Sequence, residues 1–152
     1  MTNSILDEQL CFEVYQAASH FNKLYTHVLA PFQLTYSQYL VLLSLWEKDH
    51  VMTKEIGERL NLGIGTLNPI ISKLQERGWI EKHISPTDKR ATIISLTAYA
   101  VEQRPAIERA IKEQITACGY LVEQGNELRE QLRKLNDFFT CFYEETEQQR
   151  IK

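Results

Sequence analysis

The chain has 152 residues, 43% of them hydrophobic and only ten of them Gly or Pro, a composition that suits one globular domain with a modest core and excludes long disordered stretches. Its longest apolar run, Tyr39 to Trp46, falls far short of the roughly 20 residues of a membrane span, and no basic-then-apolar leader opens it, so the expectation is a cytoplasmic protein with no membrane partner. A net charge of −3 excludes a uniformly basic nucleic-acid binder, yet residues 53–90 carry seven Lys/Arg against five acids while the rest carries ten against fifteen. The small basic excess therefore falls on one stretch.

From Ile5 to about Leu29, apolar residues recur at helical spacing through Leu6, Leu10, Val14, Ala17, Phe21, Leu24 and Val28, with Ser4 and Asp7 as a capping-box-like start and Pro31 as the stop. A second helix is expected over 37–47. It is apolar all round, which assigns Tyr39, Leu40, Leu42, Leu43 and Trp46 to the centre of the domain. After an extended step at Val51-Met52, Thr53 is the expected N-cap of a helix holding Ile56 and Leu60, and Gly57 is small enough for close packing. The turn Asn61-Leu62-Gly63 follows. The next helix carries Leu67, Ile70, Ile71 and Leu74 on one face and Asn68, Ser72, Lys73, Gln75 and Glu76 elsewhere; it ends at Arg77-Gly78, and Pro69 fits only its first turn.

Residues 79–84 and 91–96 alternate with period two around the polar tip Ser85-Pro86-Thr87-Asp88-Lys89-Arg90, which reads as a hairpin. Helix, turn, helix and hairpin in this order define a winged helix-turn-helix over 37–97 within a single domain, 1–152, that is mainly α with a small β-hairpin wing. The second helix of such a unit enters a major groove while the hairpin tip reaches along the duplex. A helix beginning near Thr97 should be kinked or shifted in its start by Pro105, and Gly119 and Gly125 bracket the next break. A last helix, about 127–147, repeats Leu128, Leu132, Leu135, Phe138, Phe139 and Phe142 against a charged face. The winged region closes its own core, so the apolar stripes of 1–30 and 98–152 are read as dimerisation helices of a homodimer.

Cys11, Cys118 and Cys141 are too few and too scattered for a disulfide scaffold. No Cys-x-x-Cys or His-x-x-x-His pairing offers a metal site, and no cofactor is expected. In a reducing compartment the interesting thiol is a reactive one.

Gly65-Thr66-Leu67-Asn68-Pro69, the run from Leu74 to Trp79, Asp88-Lys89-Arg90 and Ile94-Ser95-Leu96-Thr97 together resemble the MarR family of bacterial transcriptional regulators, and the helix order matches over nearly the whole chain. Leu10-Cys11-Phe12 followed by Tyr15, Tyr25 and Leu34-Thr35-Tyr36 is similar to the OhrR-like branch, the organic-hydroperoxide sensors, in its two-cysteine form. The resemblance implies a repressor that binds a pseudo-palindromic double-stranded operator. Its recognition helix, with Gly65, Thr66, Asn68, Ser72, Lys73 and Arg77, would lie in the major groove; the wing residues Asp88, Lys89 and Arg90 would bring Arg90, oriented by Asp88, to the minor groove. An Arg on a thin tip suits a narrow A·T-rich groove, Lys73 and Arg77 suit phosphates, and Asn68 suits an adenine edge. Ile64 and Asn68 depart from the small hydroxyl residue and Thr common in that branch, so no operator sequence is carried over.

Cys11 and Tyr15 share a helical face, whereas Tyr25 lies about 21 Å further along a straight helix and cannot reach its own Cys11. The resemblance implies antiparallel first helices in a dimer, bringing Tyr25 and Tyr36 of one subunit to Cys11 of the other, where phenol donors support a thiolate. It also implies that peroxide converts Cys11 to a sulfenic acid, that Cys118 resolves it as an intersubunit disulfide, and that DNA is released. Cys141 is expected among Phe138, Phe139 and Phe142 and remains a competing thiol. Two other readings stay open: a repressor induced by a small aromatic ligand, and a thiol peroxidase. No basic residue near Cys11 favours the enzyme, and an enzyme leaves the DNA-reading pattern unexplained.

Overall fold

The computed structural model describes residues 4–150; the expected domain limits 1–3 and 151–152 lie outside them. The chain divides into two compact units, the first ending at Ile111 and the second beginning at Lys112. In the first unit α1 spans Leu10–Leu29, later in its start than the periodicity predicts. Ser4 does not cap it: its carbonyl accepts the Asp7 N–H at 3.0 Å and its hydroxyl the Leu6 N–H at 3.3 Å, closing a separate turn. Pro31 sits in a 3-10 turn, Ala30–Phe32, which ends on Gln33 in the left-handed region (φ 56°).

Helix α2, Tyr36–Glu47, opens with a true capping box. The Thr35 hydroxyl accepts the Gln38 N–H at 3.3 Å and the Gln38 side chain accepts the Thr35 N–H at 3.0 Å, so two N-terminal donors are satisfied locally. Its buried line is Tyr39, Val41, Leu42 and Leu45. Leu43, expected at the centre, is 37% exposed, because residue 43 follows 41 and 42 around the helix and turns outward. A short strand β1, Val51–Met52, leads into α3, Thr53–Leu60. Here the N-cap is Met52 rather than Thr53: Glu55 reaches back to accept the Met52 N–H at 2.8 Å, and the Thr53 hydroxyl instead donates to the Thr92 carbonyl at 3.4 Å.

Close packing at Gly57 is evident, since a Cβ there would stand 2.9 Å from the Leu62 carbonyl oxygen. Asn61 ends α3 in the left-handed region at φ 52°. Helix α4, Ile64–Glu76, buries Leu67, Ile71 and Leu74 and is ended by Gly78 at φ 75°, a conformation that glycine adopts without Cβ strain. Pro69 is the sixth helical residue, beyond the first turn where it was expected, so the Gly65 carbonyl lacks its helical N–H partner; both residues lie on the exposed side.

Strands β2, Ile80–Ile84, and β3, Thr92–Leu96, form the hairpin with Ile80 opposite Leu96 and Ile84 opposite Thr92. β1 adds to the far edge of β3, giving the order β1-β3-β2. Burial follows the root of the wing: Trp79, Ile80 and Ile94 are within 1% of fully buried, whereas Ile84 is 72% exposed because β2 runs past the core. Helix α5, Ala98–Ala117, starts where Thr97 accepts the Ala100 N–H at 3.2 Å. Pro105 neither breaks it nor shifts its start; the affected Val101 carbonyl belongs to an exposed residue.

The second unit holds the end of α5 and α6, Gly119–Arg150. The break is confined to Cys118, whose N–H closes α5 onto Ile115 at 3.0 Å and whose carbonyl accepts the Leu121 N–H at 2.9 Å. Gly125 therefore lies inside the last helix rather than beside a break, a helix longer than periodicity alone predicts. Its aromatic residues stack on one another, Phe138 on Phe142 at 6.1 Å and Phe139 on Tyr143 at 6.0 Å, yet remain 41–61% exposed. Among the described residues no single helix is long and apolar enough to cross a membrane. The architecture is mainly α, with a winged helix-turn-helix in the first unit.

Candidate functional site

Two surfaces of the first unit carry the chemistry. The first is the outer side of α4 with the hairpin tip. Leu67, Ile71 and Leu74 pack inward, while Gly65, Thr66, Asn68, Pro69, Lys73, Gln75 and Glu76 are exposed and Ser72 is half-buried; Ile64 is in phase with Ile71 but is exposed as the first residue of the helix, beyond the end of the core. Lys73 pairs with Glu76 at 3.0 Å, an exposed contact that solvent and salt weaken. Arg77 donates from Nη1 to the Gln33 carbonyl, tying the end of α4 to the turn before α2; its other N–H donors are available to a phosphate.

The wing tip is built from buried Ser85. Its hydroxyl accepts the N–H groups of Thr87 and Asp88, each at 3.3 Å. The Asp88 carboxylate accepts the Arg90 backbone N–H at 2.9 Å. Asp88 thus orients Arg90 through the main chain rather than by pairing with its guanidinium. Lys89 and Arg90 are left projecting and exposed.

The second surface belongs to α1 and α2. Cys11, the second residue of α1, is exposed, and Tyr15 one turn on is 71% exposed. Tyr25 is stacked on Tyr36 at 4.4 Å between centroids and 13° between planes, and lies 5.7 Å from Tyr39. The fold thereby brings Tyr25 and Tyr36 together within one chain. Tyr39 is a member of this cluster that sequence reasoning placed only in the core; its separation of three residues from Tyr36 on one helix was the available signal. Burial raises all three phenols above their ordinary range, Tyr36 adding to the effect at Tyr25, and Tyr39 is pushed up to about 12. At neutral pH they are O–H donors.

Of the remaining thiols, Cys118 is half-buried at the break between α5 and α6. Cys141, expected among the phenylalanines of α6, is exposed, because those rings stack along the helix instead of closing over it. All three cysteines are free thiols. Among the described residues no group of His, Cys, Asp and Glu is arranged to hold a metal ion.

A helix pair with a buried inner face, an outward second helix and a basic hairpin tip define a winged-helix DNA-binding protein. Residues 34–92 match the MarR family model. The organic hydroperoxide resistance transcriptional regulator of Bacillus subtilis is 34% identical over 125 residues, 82% of this chain and 83% of the relative. The HTH-type transcriptional regulator TtmR of Methylorubrum extorquens is 48% identical over 92 residues, 60% of this chain; the match spans about half of that relative, 47%. Among solved structures, reduced AbfR bound to DNA is 38% identical with a TM-score of 0.70, covering 86% of this chain and 94% of that one; AbfR is known from Staphylococcus epidermidis and also in a disulfide-formed state. The chain belongs to the MarR family and is a DNA-binding transcriptional regulator.

Proposed function

We propose that the protein is a homodimeric repressor that releases a pseudo-palindromic operator when Cys11 is oxidised by an organic peroxide. The observation that carries this reading is the exposure of Cys11 and Tyr15 on one face of α1, in a chain whose tyrosine cluster lies at the other end of the same helix. Neither half is a sensor alone. Antiparallel pairing of two α1 helices, with the α5 and α6 stripes contributing, brings Tyr25 and Tyr36 of one protomer to Cys11 of its partner, where protonated phenols stabilise a thiolate by donation.

The thiolate sulfur attacks the terminal peroxide oxygen, the O–O bond breaks, and the alkoxide leaves with a proton from solvent. The product is a Cys11 sulfenic acid. The Cys118 thiol of the partner then displaces water to form the S–S bond, so one peroxide is reduced by two thiols. AbfR has been described both reduced on DNA and in a disulfide-formed state, which supports a thiol-based switch here. On DNA, α4 presents Gly65, Thr66, Asn68 and Ser72 to base edges, Lys73 and Arg77 face phosphates, and Lys89 and Arg90 of the wing follow the minor groove. A bridge between protomers alters the spacing of the two reading helices from the roughly 34 Å between successive major grooves.

The test is binding to the protein's own upstream DNA before and after stoichiometric organic hydroperoxide. Loss by wild type alone, restored by dithiothreitol and absent in Cys11→Ser, is expected, with a Cys11–Cys118 peptide in non-reducing mass spectrometry. Undiminished binding by the oxidised wild type moves the signal to a ligand instead.

A further inference from the structure

The start of α4 carries an apolar side chain for which the fold has no use. Ile64, the first residue of the helix, is 55% exposed, although the other large aliphatics of α4 that repeat at helical spacing are buried or half-buried. Its neighbour Gly65 has nothing within 4 Å of where a Cβ would stand, so the surface beside Ile64 is open to a close approach from outside. Asn68 lies one helical turn further on, exposed, and Ser72 one turn beyond that. Residues four apart on a helix form one ridge, with neighbouring Cβ atoms about 5–6 Å apart. Base pairs in a duplex are stacked about 3.4 Å apart, so two ridge neighbours meet bases one or two steps apart.

The major-groove edge of one base alone among the four bears a methyl group, the C5-methyl of thymine. A branched aliphatic side chain offers no hydrogen bond to a base edge, but it takes such a methyl out of water. We propose that Ile64 is a specificity-determining residue that packs on a thymine C5-methyl, one or two base pairs from the base read by Asn68. The site then selects a thymine beside the Asn68 contact in each half-site. This assignment rests on the reading of α4 as the groove-inserted helix.

The test uses full-length reduced protein and a duplex selected from a random pool. Each thymine of one half-site is replaced in turn by deoxyuridine, which removes the methyl and preserves the base pair. Binding is measured by fluorescence anisotropy for wild type, Ile64→Val and Ile64→Ser. At one thymine, removal of the methyl should weaken wild-type binding about fourfold, the burial of a single methyl-sized group. Ile64→Val should retain most of that sensitivity. Ile64→Ser should bind the thymine and uracil duplexes equally at that position while keeping its preference at the Asn68 position, a result that also verifies folding. Wild-type indifference to every methyl, or a methyl sensitivity unchanged in Ile64→Ser, overturns the proposal. If no duplex is enriched at all, the groove-inserted reading of α4 fails and the proposal fails with it, a result distinct from selective binding without methyl sensitivity.

Discussion

The region around α2 to β3 and the helix α6 both carry apolar residues at regular spacing, and they dispose of them in opposite ways. In the former, Leu42, Leu45, Ile56, Leu67, Leu74, Trp79 and Ile94 all lie within about 1% of complete burial, against one another and within one chain. In the latter, Phe138, Phe139, Phe142 and Tyr143 keep 41–61% of their surface exposed. Helical periodicity is the same signal in both. It states that a face is apolar, and the partner of that face has to come from the rest of the chain or from outside it.

The comparison is broken most sharply by Trp79→Ala. Trp79 is 1% exposed and packs edge-on against Tyr99 at 4.9 Å, so truncation should cost about 3–5 kcal/mol in urea unfolding; a loss near zero would mean that the wing root is not a core. Next comes Gly57→Ala. Its Cβ must displace the Leu62 carbonyl, and about 1–3 kcal/mol of destabilisation is expected, despite the better helix propensity of Ala. A stabilised variant would contradict the close packing of α3 on the turn.

The tyrosine cluster makes a prediction in pH. Burial raises the Tyr39 phenol from 10.0 to about 12, so the unfolded chain loses its proton first. Stability from this group is intact below pH 10 and declines between pH 10 and about 12. Alkaline unfolding monitored by circular dichroism should therefore be less steep over that window in Tyr39→Phe than in wild type, and identical slopes would remove the buried-phenol effect. The smallest intrinsic effect belongs to Phe138→Ser: in dilute, monomeric protein the unfolding free energy should change by no more than about 0.5 kcal/mol. In concentrated protein, the concentration dependence of Tm should weaken, as it does when a self-association surface is lost. A large loss in the monomer would place Phe138 in an internal core.

Much of this fold was legible because local rules and packing agree. Gly78 ends α4 in the left-handed conformation for which glycine is suited, and the alternation of residues 79–96 becomes the expected hairpin. The misreadings fall where a local signal had more than one solution. Ser4 and Asp7 have the residues of a cap, but their hydrogen bonds close a turn ahead of α1. Thr53 has the side chain of an N-cap, but Glu55 caps Met52 and makes the choice two residues later in sequence. Periodicity was silent on β1 joining the hairpin, because two residues carry no period and their pairing with Ile93 and Ile94 spans 40 positions or more. At the candidate site, the exposed positions of α4 from Gly65 onward follow from the buried ones, whereas Ile64, in phase with Ile71, is exposed only by its place at the helix start. The Tyr25–Tyr36–Tyr39 stack follows from no such pattern, since it depends on the angle set by the turn at 30–35.

The contact between Arg77 and the Gln33 carbonyl has a mechanical meaning. Helix α4 is pinned at its far end by that bond, by the turn at Gly78 and by buried Trp79, whereas its near end begins at Gly63 with no side-chain cap. A rod of 13 residues is about 20 Å long, so a tilt of about 3° at the pinned end sweeps the near end through about 1 Å. The loop that receives Arg77 also leads into Tyr36. The tyrosine-bearing segment and the end of the helix that carries Asn68 thus share one hydrogen bond, so the position of one is registered against the other.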